Sequence, residues 1–176
     1  METQTAPTTA TSLANLLIKE VDAEAAITRK MLALVPADEA GYKPHTKSMK
    51  MHDLAVHIAE IPSWITMAIA TEELDFGAMD YTPTPWTSTE ELLGIFEKSL
   101  ASGRASLEGA PDELLLNGTW TMRMGDKILA TMSKYETIRH SLAQTIHHRA
   151  QLGVYLRLLD IKIPGSYGPS ADDMNF

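Results

Sequence analysis

The chain has 176 residues, with 15 Lys and Arg against 23 Asp and Glu for a net charge of -8, and 44% hydrophobic residues. That length and apolar content suit one compact unit. The acidic balance speaks against nucleic acid as a partner, which needs clustered positive charge. The lack of cysteine removes disulfides, thiolate ligands and a thiol nucleophile of the chain's own. No apolar run approaches the roughly 20 residues that span a bilayer, and the start METQTAPTTATS has no secretory pattern, so a cytoplasmic protein without a membrane partner is expected.

Residues 1–11 are rich in Thr, Ala and Pro and read as a flexible leader, with one domain over 12–176. From Ser12, the residues Leu13, Leu16, Leu17, Val21, Ile27, Met31, Leu34 and Val35 recur at helical spacing, and Pro36 ends the first helix. After GYKPHTKS, Ser48 is placed to cap a second helix carrying Met51, Leu54, Ile58, Ile61 and Ile65. Pro62 should bend or end that helix, because it has no N–H and its ring clashes with the preceding turn. A long crossover with Pro83, Pro85 and Trp86 leads to Ser88 and Glu91, the spacing of a capping box that opens the third helix. In NGTWTMRMGDKILATM, Asn117-Gly118 and Gly125-Asp126 are turn signals, and a small hairpin and an irregular crossover fit equally. The fourth helix runs from about Ser133 to Leu159, and the tail from Ile161, broken by Pro164, Gly165, Gly168 and Pro169, lies on the surface or against a partner. The expected class is all-α, with four helices, a crossover between the second and third, and a short irregular or hairpin segment before the fourth.

Helical geometry sorts the histidines. With about 100° per residue, His148 lies roughly 70° from the middle of the fourth helix's apolar stripe, while His147 and His140 lie roughly 170° and 150° away. His57 borders the second helix's stripe at roughly 60°. Two imidazoles facing each other across helices are a common start to a zinc, nickel or iron site, which needs a third ligand one turn away. Four residues before His148 stands Gln144, whose amide oxygen is a poor zinc ligand, and Glu60 is a substitute or supporting carboxylate. The plainer reading is that an imidazole at the edge of an apolar stripe is a hydrogen-bonded core residue. Trp64, Trp86, Trp120 and Tyr155 serve as core anchors or stack on a substrate, and Met49, Met51, Met122, Met124 and Met132 read as gap filling. Arg149 and Arg157 flank the candidate site, where they would hold a substrate carboxylate or, more simply, pair with acidic residues.

The run HHRAQLGVYLRLLDIKIPGSYGPSADD at 147–173 resembles the C-terminal signature of the DinB-like superfamily, and KPHTKSMKMHDLAVHIAEIPSW at 43–64 is similar to that family's second helix. The resemblance implies a four-helix bundle, often a homodimer. It also implies a divalent metal held by one histidine of the second helix and a His-x-x-x-His pair on the fourth, matched here by His57, Gln144 and His148, with Gln144 departing from the pattern. By the same resemblance, the expected function is a metal-dependent transferase using a low-molecular-weight thiol on a small-molecule substrate. The alternative is a non-catalytic dimeric ligand-binding or stress-associated module whose metal site has degenerated.

Overall fold

In the computed structural model, which describes residues 11–174, Ser12 caps α1 (Leu13–Leu32) by accepting the Asn15 N–H at 3.3 Å. The second helix, α2 (Met51–Glu60), starts at Lys50 without a side-chain cap. Ser48 does not cap it, because it lies two residues before the N-cap position, in a turn where its N–H donates to the His45 carbonyl. Pro62 ends α2, and the chain restarts as α3 (Ser63–Ala70). Ser99 bridges the break, accepting the Ser63 N–H at 2.8 Å and donating to the Glu60 carbonyl at 2.9 Å. The helix that supplies Ser99, α4 (Thr89–Leu107), passes so close that a Cβ on Gly103 would lie 2.3 Å from the Pro62 carbonyl oxygen. Ser88 opens α4 by accepting the Glu91 N–H, and the Glu91 carboxylate accepts the Thr87 N–H.

The expected all-α four-helix bundle is corrected by a three-stranded sheet. The crossover after α3 contains β1 (Glu73–Asp75), and a short α5 (Asp112–Asn117) leads into the hairpin of β2 (Thr119–Met124) and β3 (Lys127–Ser133). The strand order is β1-β2-β3, with β1 parallel and β3 antiparallel to β2. Gly125 turns the hairpin at a φ of 57°, a left-handed value that glycine adopts without strain. Six helices and this sheet make the described residues a mixed α/β fold.

Ser133 and Glu136 close a capping box at the start of α6 (Lys134–Leu158), the longest helix. Helix α6 packs on α1, α2 and α3, as does α4, and the hairpin rests against the start of α6. The core between them holds Leu54, Ile58, Ile65, Leu92, Phe96, Leu107, Ile138, Leu152 and Leu156, all 1% exposed or less. Each such side chain contributes about 1.5–3 kcal/mol of burial. The tail folds back on its own helix, with Asp172 paired to Arg157 and accepting the Ile163 N–H. No helix among the described residues is long and apolar enough to cross a membrane. The expected leader falls, apart from Thr11, outside the described residues.

Candidate ligand-binding site

The last turn of α2 and the middle of α6 bring His57 and His148 together, edge to face, with ring centroids 4.7 Å apart. His57 also meets Trp64 edge-on at 5.5 Å, and His147 packs beside His148 at 4.9 Å. Burial lowers the His57 pKa from its ordinary value near 6.5, and the neighbouring His148 lowers it further, against the opposing pull of Glu60. His148 is lowered by burial and by His147, opposed by its Nδ1 hydrogen bond to Gln151 at 3.0 Å. Both rings are therefore neutral at pH 7 and touch without charge repulsion.

The donor set around them does not complete a metal centre. The Gln144 amide lies against His140, 3.4 Å from its Nε2. Glu60 has turned to the crossover, accepting the Tyr81 hydroxyl at 2.5 Å and the Thr84 hydroxyl and N–H at 2.5 and 3.2 Å. Among the described residues no group of three or more His, Cys, Asp or Glu is arranged to hold a metal ion. Metal binding by zinc, nickel or iron at His57, Gln144 and His148 is not borne out by this donor set.

What the two helices and the sheet enclose instead is a cavity of about 390 Å³. Trp64 and Met67 of α3, Leu74 of β1, and Trp120 and Met122 of β2 form one wall. Phe76, Met79 and Tyr81 of the crossover form another, and His57, Glu60, Thr137 and His140 supply its polar groups. Two anchors set its shape. The Trp120 indole N–H donates to the Thr71 hydroxyl at 3.0 Å, and that hydroxyl donates to the Met67 carbonyl. The ammonium of Lys134, 1% exposed, donates to the carbonyls of Ala68, Ile69 and Thr71 and to the Glu72 carboxylate, gathering the orphan end of α3.

Of the four aromatics singled out in the sequence, Trp64 and Trp120 line this cavity. Trp86 is buried against His52, stacked at 4.9 Å, and Tyr155 is buried with its hydroxyl on the Met49 carbonyl. Phe76, Met79 and Tyr81 went unread as site residues, although so many large apolar side chains in a non-helical crossover were a signal. Arg149 and Arg157 are both ion-paired, to Glu24 at 2.7 Å and to Asp172, and neither lines this cavity.

The crystal structure of a DinB-like protein from Bacillus cereus ATCC 10987 is similar, with a TM-score of 0.67 at 18% identity over 89% of this chain and 98% of that one. A DinB-like protein from Bacillus subtilis matches with the same score and identity over 86% of this chain and 98% of its own. At such identity the likeness concerns the fold. No curated protein matches the chain. The sequence model of the DinB family matches residues 1–175, and the chain belongs to the DinB family.

Proposed function

We propose that this DinB-family chain is a non-catalytic binding module that takes up a small, largely apolar molecule in the cavity between α2, α3, the β1–β2 edge and α6. The observation that carries the reading is the cavity's make-up. Its volume of about 390 Å³ falls in the range of small-molecule sites, and its walls are aromatic and methionine side chains with a few convergent polar groups. A thiol transferase at this place would draw on a metal centre that Gln144 and the engaged Glu60 do not complete, so binding is the preferred reading. The homodimer belongs to the same proposal, supported by Val154 and Leu158, which leave an apolar strip 57% and 56% exposed along α6.

The test is a fluorescence titration with N-phenyl-1-naphthylamine, a neutral apolar dye that brightens when desolvated. Saturable binding of one dye per chain is expected, weakened in Met122→Trp, which fills the cavity while retaining a cooperative melt. Absence of saturable binding to the folded wild type would overturn the reading.

A further inference from the structure

Resting on that binding reading, we infer that the cavity's ligand is a small organic cation, an amine or quaternary ammonium with an apolar or aromatic body, its charged nitrogen held between Glu60 and the surrounding aromatic rings. Three features of the walls select this charge.

No lysine or arginine is among the lining residues, so a carboxylate, sulfate or phosphate would enter without a counter-charge.

The one carboxylate on the wall, Glu60, is satisfied only by neutral donors, the Tyr81 hydroxyl and the Thr84 hydroxyl and N–H. It has no ion-pair partner among the described residues. Glu24, Glu97, Asp22 and Glu20 are paired with Arg149, Arg29, Arg104 and Arg139, whereas Glu91 and Glu136, which like Glu60 accept only from neutral donors, lie at the starts of α4 and α6 and away from the cavity. A positioned, half-buried carboxylate held only by neutral donors attracts a positively charged ligand.

The rings of Trp64, Phe76, Tyr81 and Trp120 surround the same space. Aromatic faces carry negative quadrupole potential, and several around one point attract an ammonium that has shed water more strongly than a neutral group of equal shape. Methionine sulfurs add a polarisable wall.

The experiment displaces N-phenyl-1-naphthylamine with three competitors of similar size: 1-naphthylmethylamine, protonated at neutral pH, 1-naphthalenemethanol, neutral, and 1-naphthoate, anionic. The amine is expected to compete at about tenfold lower concentration than the alcohol, with the naphthoate weakest. Glu60→Gln keeps an acceptor for Thr84 and removes the charge, and should erase most of the amine's advantage, read as the ratio of amine to alcohol affinity within the same variant. Glu113→Gln, at an exposed position of α5, is the control for the overall charge of -8 and should leave the amine's advantage intact. If the dye binds but the amine does no better than the alcohol, the cation inference falls and the binding reading stands. An advantage that survives Glu60→Gln does not come from Glu60, and one that shrinks equally in Glu113→Gln belongs to net charge; either outcome overturns the inference. If the dye does not bind, both fall.

Discussion

His57 and His148, on α2 and α6, meet edge to face with ring centroids 4.7 Å apart and both with lowered pKa. The contact joins two helices through a pair of neutral imidazoles, and protonating either ring places a charge in a half-buried position against its neighbour.

Stability should therefore depend on pH. The folded values lie below the ordinary value near 6.5, so on acidification the unfolded chain takes up these protons first. The pair's contribution is complete above about pH 6.5 and is lost as pH falls through the depressed folded values. Thermal melts from pH 8 to pH 5 should show the wild-type Tm falling below about pH 6.5, and His57→Gln should flatten part of that fall. Superimposable profiles for wild type and variant would show that the pair is not responsible.

Gln144 sits one helical turn before His148, the i,i+4 spacing at which two imidazoles chelate one ion. Gln144→His should thus gain zinc affinity by at least about tenfold over wild type, read by competition with a chromophoric chelator. An unchanged affinity would mean that position 144 is turned too firmly toward His140 to join the pair.

Arg149 and Glu24 form an ion pair with side chains 3% and 10% exposed, completed by Arg149 donations to the Thr28 hydroxyl and to Tyr167. Removing one partner strands the other charge, and Arg149→Met should lose about 3–5 kcal/mol in urea denaturation. The double variant Arg149→Met with Glu24→Leu should recover much of that loss.

This pair also shows where sequence reading stopped. The helix starts at Ser12, Ser88 and Ser133 and the break at Pro62 were legible, because caps and proline act through backbone groups within a few residues of themselves. The buried face of α6 was only half legible. It includes Lys134, Thr137, Ser141, Thr145 and Arg149 beside its leucines, so burial there follows from hydrogen-bond partners on other elements and leaves no apolar period. Strand β1 is three residues long, and its pairing partners, Thr121 to Arg123, lie far along the chain, so nothing local announced it. The missing sheet explains the missed side of the site. The wheel sent His140 away from the helical core, and there it faces the cavity that the sheet and crossover enclose. His57 and His148 were read correctly as neighbours, while their third partner was set by what Gln144 and Glu60 bond to, which spacing does not show.

Lys134 supports the cavity from behind. Lys134→Met leaves the carbonyls of Ala68, Ile69 and Thr71 without their charged donor and should lower stability by about 2–3 kcal/mol. Because Thr71 also holds the Trp120 indole, dye binding should weaken in this variant beyond any change in the folded fraction. A stability loss with unaltered dye affinity would separate Lys134 from the site.

The most direct test of the binding site is NMR of the protein labelled with 13C at the methionine methyls, titrated with N-phenyl-1-naphthylamine. Met67, Met79 and Met122 line the cavity, whereas Met31 lies in a separate groove against the C-terminal tail. Saturable shifts of the first three signals are expected, with Met31 unmoved. Shifts at Met31 with the other three unchanged, or no shift at all, would contradict binding in this cavity.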